Sequence, residues 1–165
     1  MADTDIAIWP GSLIPHPDED NWWIPESGSP EVGIIMGSAS DFELMSKAGD
    51  PLNLANVLYE VIIRSAHRNP VEVAEYGREA IIRGLKVVIA GAGLSAALPG
   101  VMAAHTKLPV IGVPLTSGTM SIGGGLDALC AIAQMPPGVP VGSMGVNNPK
   151  NGAEYALRMI NNPNL

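Results

Sequence analysis

The chain alternates between short apolar runs and turns of small or polar residues, and this alternation constrains the fold more than any other feature. Each run has the length and the Val, Ile and Leu content of a strand buried on both faces, and each turn leads into a helical stretch. The pattern predicts a three-layer α/β/α sandwich on a doubly wound parallel sheet. The predicted strands cover residues 31–36, 57–63, 85–90, 108–114 and 139–146. The predicted helices cover 42–54, 71–83, a segment that ends near 105, 126–133 and 151–160.

Composition favours a single well-packed domain. The chain has 165 residues, of which 47% are hydrophobic and only 15% are charged, and it is long enough to bury one core. So much apolar surface in a small chain also suggests an oligomer. The one cysteine, Cys130, excludes an internal disulfide and a cysteine-based zinc site, and it suits a reducing compartment. Because Cys130 lies in the apolar run 126–133, it is predicted to be a small core residue.

Negative charge is concentrated at the N-terminus. Residues 1–30 contain six acidic residues and no Lys or Arg, whereas the rest of the chain contains ten acidic and nine basic residues. A nearly neutral body has no basic stripe for nucleic acid. No apolar run is long enough to span a membrane, and no basic segment followed by an apolar one marks a secretion signal. We therefore expect a soluble cytoplasmic protein.

Residues 1–30 are also rich in proline, and we interpret them as a distinct N-terminal arm that precedes a catalytic domain at 31–165. Because a solvated tail seldom needs several tryptophan side chains, the tryptophans of this arm are expected to anchor it on the body or on a neighbouring subunit. We expect this contact to cross a subunit boundary. His16, between two prolines, is predicted to be a surface residue and not a catalytic one. The arm contains all three tryptophans, Trp9, Trp22 and Trp23.

A polar hexapeptide follows the second predicted strand directly. Ligands of open α/β sheets bind at the carboxyl ends of strands. Histidine can take up and return a proton near neutral pH, so His67 is the predicted acid/base group. Arg68 is a permanent cation suited to a phosphate or a carboxylate. The alternative is a polar strand-to-helix loop in which His67 only caps local backbone. The hexapeptide is Ser65-Ala66-His67-Arg68-Asn69-Pro70.

Two further turns of small residues follow the first and third predicted strands, at 37–41 and 91–100. Small residues let the backbone approach a ligand closely, and N–H groups at a helix start favour an anion. The first turn is either a phosphate cradle or an ordinary helix N-cap, since Ser and Asp cap helices well. A parallel sheet brings the ends of its strands to one edge, so the three turns are predicted to form one site.

Several blocks of the chain occur in the order and spacing of one known family. The most specific are Gly-Ser-Ala-Ser-Asp at 37–41 and Ser-Ala-His-Arg at 65–68. Over residues 32–160 the chain resembles the PurE family of purine biosynthesis, which contains N5-carboxyaminoimidazole ribonucleotide mutase and aminoimidazole ribonucleotide carboxylase. Residues 1–30 lie outside this resemblance. The other matching blocks are 84–93, 108–114, 125–129 and 134–136.

The resemblance implies a flavodoxin-like fold, a homo-octamer with each active site at a subunit junction, and no metal or organic cofactor. It implies an enzyme that moves a carboxylate from N5 to C4 of aminoimidazole ribonucleotide, with a ribonucleotide and CO2 as its small-molecule partners. By match, His67 moves the proton on the imidazole carbon, and Ser65 lies beside it. Side chains of the first turn and Arg68 would bind the ribose phosphate, and backbone N–H groups of the last turn would bind the carboxylate or CO2. The implied binding residues are Gly37, Ser38, Ser40, Asp41, Arg68, Gly91, Ala92, Gly93, Ser95, Ala96, Ala97 and Leu98.

The chain departs from the family pattern around the reacting carboxylate. Mutases commonly carry histidine directly before Leu-Pro-Gly, where this chain has Ala97. His105 follows about two helical turns later and is predicted to face elsewhere. The other departures are Leu94 for a glycine, the added hydroxyl of Ser95, Thr116 where glutamine is usual, and a glycine-rich lid segment at 119–125.

Three functions remain open at this point. The first is an authentic mutase that tolerates Ala97. The second is a carboxylase or decarboxylase of another heteroaromatic nucleotide, as in specialised metabolism. The third is a nucleotide-binding relative without turnover, which would keep its phosphate site and be indifferent to His67→Asn.

Overall fold

A sheet of seven strands forms the centre of the part of the chain that the computed structural model describes, which is residues 13–16, 21–116 and 118–161. The strands are β1 (Leu13–Pro15), β2 (Trp22–Pro25), β3 (Val32–Met36), β4 (Tyr59–Ile63), β5 (Val87–Gly93), β6 (Val110–Leu115) and β7 (Gly142–Ser143). Their spatial order is β1-β2-β4-β3-β5-β6-β7. Strands β3 to β7 are parallel. Taken alone, these five follow the flavodoxin-like order, in which the first strand lies between the second and the third.

Helices cover both faces of this sheet. They are α1 (Phe42–Met45), α2 (Gly49–Leu54), α3 (Pro70–Glu79), α4 (Leu98–His105), α5 (Leu126–Ala133) and α6 (Pro149–Ile160). Buried residues of α1, α2 and α6, such as Met45 and Ala156, share one core cluster with Ile34. Buried residues of α3, α4 and α5, such as Tyr76, belong to a second cluster with Ile35 on the opposite face. The predicted three-layer α/β/α fold is confirmed.

Most predicted elements differ from the structure by a few residues at their ends, and two differ more. The helix predicted over 42–54 is interrupted, because a 3-10 turn at Ser46–Ala48 separates α1 from α2. Pro51 in α2 has no N–H to donate to the carbonyl four residues earlier, which prevents one continuous helix. The strand predicted over 139–146 is reduced to β7 at the sheet edge. Pro140 lacks a donor for a longer ladder there.

The N-terminal strands β1 and β2 were not predicted by the sequence analysis. They form an antiparallel hairpin, and β2 pairs antiparallel with β4 at the edge of the parallel sheet. Trp23 is buried and Trp22 is half-buried against the body of the same chain. His16 is half-buried and stacks on Trp22 at 4.4 Å. Trp9 lies outside the described residues, and the division into arm and catalytic domain stays a prediction.

The prediction that Cys130 is a core residue is wrong, since Cys130 is exposed. Helix α5 buries Ala128 and Ile132. Residues of an α-helix are about 100° apart, so Cys130 lies roughly 200° around the helix from each of these two. The apolar run that contains it therefore has a solvent-facing side.

Candidate active site

A cavity of about 470 Å³ opens where the strand order reverses, at the carboxyl ends of β3, β4 and β5. Three loops surround it, and we call them the serine turn (37–41), the histidine loop (65–69) and the alanine turn (93–98). Open α/β sheets bind ligands at this position. The lining residues are Gly37, Ser38, Ser40, Asp41, Ser65, Ala66, His67, Arg68, Ala92, Gly93, Leu94, Ser95, Ala97, Leu98 and Met120.

The structure brings nearly all of the predicted site residues to this one cavity. The exceptions are Gly91 and Ala96, which do not line it. Gly91 lies within β5, and a Cβ there would collide with the Met45 sulfur. Ala96 is buried beneath the alanine turn. The residues that the predicted set did not contain are Ala66, Leu94 and Met120.

Backbone and side-chain hydrogen bonds close the histidine loop on itself. The Asn69 N–H donates to the Ser65 carbonyl oxygen at 2.7 Å. In return the Ser65 N–H donates to Asn69 Oδ1 at 3.2 Å, and the Arg68 N–H lies 3.4 Å from Ser65 Oγ as its acceptor. Ser65 is buried, whereas His67 and Arg68 are exposed at the cavity. Ser65 and Asn69 thus shape the loop, and the loop presents His67 and Arg68 to a ligand.

Asn69 helps to shape the histidine loop, a structural role that the sequence analysis did not assign to it. It occupies the N-cap position of α3, and Pro70 occupies the first helical position. The Asn-Pro pair before a helical stretch is the signal that could have revealed it, since Asn favours caps and Pro favours the first turn.

Arg68 joins the histidine loop to the serine turn. Its Nη2 donates to the Gly37 carbonyl oxygen at 2.7 Å. The guanidinium has further N–H groups in a planar fork, which suits the oxygens of a phosphate. This contact places a permanent positive charge between two of the three loops that line the cavity.

Within the serine turn, Ser38 accepts two hydrogen bonds. Its Oγ accepts from the Ser40 N–H at 3.3 Å and from the Ser40 hydroxyl at 2.9 Å, and so caps the short 3-10 helix Ala39–Asp41. The N-cap alternative therefore describes Ser38 correctly, although Ser38 and Ser40 also line the cavity. Burial raises the pKa of Asp41, and a hydrogen bond with the Ser38 backbone and the nearby Arg68 charge oppose that rise.

The alanine turn offers less polar chemistry. Leu94 has φ +55°, a left-handed conformation that is costly for a leucine. The N–H groups of Ala96 and Ala97 donate to the carbonyl oxygens of Leu94 and Ser95, at 2.9 and 2.7 Å. These two donors are thus occupied within the turn. The exposed hydroxyl of Ser95 is the polar side chain that this turn presents to the cavity.

The glycine-rich lid segment, which together with Gly118 spans 118–125, contributes Met120 to the wall of the cavity. Gly118, Gly123, Gly124 and Gly125 all have positive φ, which explains why the segment needs glycine. Asp127 holds its far end, because its carboxylate accepts from the N–H groups of Ile122 and Ala128 at 3.0 and 2.9 Å. These bonds lower the pKa of Asp127.

Thr116 is engaged before the lid segment begins. Its N–H donates to Asn147 Oδ1 at 2.9 Å, and its Oγ1 accepts from Asn147 Nδ2 at 2.8 Å. His105 lies by Gly77 of α3 and does not line the cavity, in line with the prediction that it faces elsewhere. Neither Thr116 nor His105 therefore replaces the histidine that is usual at the position of Ala97.

Metal-binding clusters and membrane-spanning helices are both absent from the part of the chain that the structure describes. Within residues 13–16, 21–116 and 118–161, no group of three or more His, Cys, Asp or Glu side chains is arranged to hold a metal ion. In the same described ranges, no helix is both long enough and apolar enough to cross a membrane.

A family profile described as AIR carboxylase matches residues 31–164. The chain belongs to the AIR carboxylase family. The N5-carboxyaminoimidazole ribonucleotide mutase of Pyrococcus abyssi is 50% identical over 133 residues, which are 81% of this chain and 75% of that protein. The phosphoribosylaminoimidazole carboxylase of Candida glabrata is 49% identical over 135 residues, which are 82% of this chain but only 23% of that protein.

Solved structures of two PurE proteins have the same fold. The crystal structure of Treponema denticola PurE matches this chain with a TM-score of 0.68 and 31% identity, over 79% of this chain and 80% of that one. A variant of Treponema denticola PurE2 matches with a TM-score of 0.70 and 29% identity, over 81% of this chain and 80% of that one. The family match begins at residue 31, so strands β1 and β2 lie outside it.

Proposed function

We propose that this protein is an N5-carboxyaminoimidazole ribonucleotide mutase of purine biosynthesis, an isomerase that moves a carboxylate from N5 to C4. The observation that carries the proposal is the cavity at the point where the strand order of the sheet reverses. There an exposed histidine lies between a polar end with a fixed arginine and an end built of small apolar residues. Relatives about half identical over most of the chain carry this name.

The polar end would bind the ribose phosphate. The Arg68 guanidinium supplies charge-assisted hydrogen bonds, and the hydroxyls of Ser38 and Ser40 supply neutral ones. Asp41 lies at the same end, where its raised pKa reflects burial. Because Arg68 is already bonded to Gly37, little ordering of this end is needed when the phosphate binds.

His67 would carry the proton transfers. When the N5–carboxyl bond breaks, CO2 leaves and the amine nitrogen takes a proton from the imidazolium. The ring carbon C4 then attacks CO2, forming the new C–C bond. Neutral His67 finally removes the C4 proton, which restores the aromatic ring and regenerates the imidazolium. Atoms and charge balance over the cycle, and the step needs no metal or organic cofactor.

CO2 must stay in the cavity between the two bond changes. The alanine turn and Met120 of the lid segment border the apolar side, where they would exclude water and retain the gas. The Ser95 hydroxyl is the side-chain donor that would orient the carboxylate there, because the Ala96 and Ala97 N–H groups are occupied.

The test is incubation of the purified protein with N5-carboxyaminoimidazole ribonucleotide and, separately, with its 4-carboxy isomer. Both are followed by ultraviolet absorbance and by released CO2, with His67→Asn as the matched control. Interconversion in both directions by the wild type, but not by the control variant, is the expected result. Binding of both isomers without interconversion would overturn the proposal.

A carboxylase or decarboxylase of another heteroaromatic nucleotide is the second candidate. The observation that favours it is Ala97, which lines the reacting side of the cavity with a methyl group in place of the usual histidine. This candidate predicts net CO2 uptake or release in the same assay. A nucleotide-binding relative without turnover would instead bind ligand equally well as wild type and as His67→Asn.

We also propose that the protein assembles as a cytoplasmic homo-octamer with its active sites at subunit junctions. Supporting this, three large apolar side chains are mostly exposed on the single chain: Leu54 at 88%, Ile82 at 86% and Ile122 at 73%. Light scattering of the purified protein tests the assembly, and a monomer at micromolar concentration would contradict it.

A further inference from the structure

Strand β2 lies beside β4, which leads directly into the histidine loop. In the register of this pair Trp22 lies opposite Ile62 and Trp23 opposite Val61. The Ile63 N–H also donates to the Asn21 carbonyl oxygen at 2.9 Å. The hairpin is thus bonded to β4 as far as Ile63, the last residue of β4, which lies two positions before Ser65.

The two tryptophans of β2 lie on opposite faces of the sheet, because neighbouring residues of a strand alternate. Trp22 packs with the cluster that contains Tyr76 and Ala66. Trp23 belongs to the other cluster, which includes Phe42. One tryptophan therefore lies on the face of α3, and the other lies on the face of α1.

Trp22 contacts the helix that follows the histidine loop. Its ring meets the Tyr76 ring edge-on at 5.9 Å, and the Arg83 guanidinium lies 4.8 Å from the Trp22 ring and 4.5 Å from the Tyr76 ring. Arg83 in turn donates to Glu60 of β4 at 2.6 Å, where Glu60 is only 1% exposed. A buried pair of this kind tolerates few alternative arrangements. The cluster therefore ties together the strand before the histidine loop and the helix after it.

Trp23 contacts the segment that follows the serine turn. Its ring lies 5.8 Å from the Phe42 ring, and Phe42 comes directly after Asp41. Aromatic pairs at this distance contribute beyond their buried area. Trp23 thus packs beside the segment that follows the serine turn, as Trp22 packs against the helix that follows the histidine loop.

We propose that strand β2 is a positioning element for the active site, in which Trp22 fixes the histidine loop and Trp23 fixes the serine turn. Neither side chain lines the cavity, so both act through the residues that they contact. The inference rests on the proposed function, in which His67 of the histidine loop transfers the proton and Arg68 of that loop binds the phosphate together with the serine turn. It gives a catalytic purpose to a segment that lies outside the family match.

The test compares Trp22→Leu with Trp23→Leu by amide hydrogen exchange. Trp22→Leu should speed exchange of the Arg68 and Asn69 amides by about tenfold and leave the Asp41 amide within about twofold of wild type. Trp23→Leu should do the reverse. Ile160→Ala, which removes packing from the distant end of α6, should lower the melting temperature without speeding amide exchange selectively in either loop.

Kinetics provide the second readout, with substrate and product as in the mutase assay. Trp22→Leu should lower kcat and also raise KM, because His67 and Arg68 share the histidine loop, whereas Trp23→Leu should raise KM with little effect on kcat. Trp22→Phe keeps an aromatic ring against Tyr76 and should recover most of kcat. If the leucine variants do not fold, Trp22→Phe and Trp23→Phe should show the same two patterns of amide exchange, with smaller changes.

Equal exchange in both loops for either variant, or no change in either loop, would overturn the inference and leave β2 as a general stabilising strand. If the wild type shows no interconversion, the proposed function fails. The crossed exchange pattern would still support the positioning role in that case, because exchange requires no substrate.

Discussion

The two ends of the cavity are built in different ways. At the polar end, hydrogen bonds link loops that are far apart in the sequence, as between Arg68 and Gly37, and they close the histidine loop through Ser65 and Asn69. At the apolar end, the Ala96 and Ala97 N–H groups bond within the alanine turn, Leu94 has a strained φ, and the lid segment relies on glycine. The polar end is thus organised before a ligand binds, whereas the apolar end depends on shape and closure.

This difference separates the expected effects of mutation. Changes at the polar end should alter ligand affinity, changes at the apolar end should alter stability or chemistry, and His67 at their boundary should alter chemistry alone.

The largest effect is expected for His67→Asn. Removing a general acid/base group costs about 10²–10⁴-fold in turnover. Asparagine is polar and smaller than histidine, and the loop is closed by bonds of Ser65 and Asn69, so ligand affinity should stay close to wild type. Steady-state kinetics and calorimetric titration of the 4-carboxy isomer check the two parts. Equal losses of affinity and turnover would show that His67 also binds the ligand.

Arg68→Met should weaken ligand binding by about 10- to 100-fold, because a charge-assisted hydrogen bond to phosphate is lost. Arg78→Met is the matched control, since Arg78 is exposed on α3 and does not line the cavity. Calorimetric titration with ribose 5-phosphate isolates the polar end. Similar affinities of the two variants would show that the polar end is not the phosphate site.

Leu94→Gly should stabilise the protein by up to about 1 kcal/mol, since glycine adopts a positive φ without the penalty that leucine incurs. Asn56→Gly is the control, because Asn56 has the same φ of +55° far from the cavity and asparagine tolerates it better. Urea denaturation should therefore show a larger gain for Leu94→Gly. A loss of stability would mean that the Leu94 side chain contributes more packing than its backbone costs.

Asp41→Asn should raise the melting temperature of the ligand-free protein at neutral pH by a few degrees at most. Burial raises the pKa of Asp41, so the folded protein binds this proton more tightly than the unfolded chain does. The protonated carboxyl thus favours folding below the ordinary pKa of aspartate, and that contribution is lost as the pH rises through the raised pKa.

The advantage of Asp41→Asn should accordingly shrink as the pH falls below about 4, where the carboxyl is neutral in both states. Thermal melts at several pH values check this dependence. An advantage that grows toward acidic pH would contradict the role of burial at this residue.

Local signals were sufficient to predict the parallel strands and the three loops of the site. Apolar runs mark β3, β4, β5 and β6, and small residues follow β3 and β5. Two residues were missed for different reasons. Met120 lines the cavity from a segment well beyond the alanine turn in the sequence, which no local pattern reports. Asn69 acts through a bond back to Ser65, which is visible only once the loop has closed.

The N-terminal hairpin was missed for a related reason. Strands β1 and β2 are short and lie in a segment rich in proline and acidic residues, which argues against strands. Their stability comes from pairing with β4 and from the burial of Trp23, neither of which can be deduced from local composition. The apolar run 126–133 also misplaced Cys130, because a helix of mostly apolar residues can still present one side to solvent.

Carboxyl transfer within the cavity is tested most directly by a single-turnover reaction. The substrate is N5-carboxyaminoimidazole ribonucleotide labelled in its carboxylate, and the buffer contains a large excess of unlabelled bicarbonate. If CO2 is released and recaptured inside a closed cavity, the 4-carboxy product should keep nearly all of the label. Loss of the label to the bicarbonate pool would contradict transfer within the cavity, and it would favour a carboxylase that takes CO2 from solution.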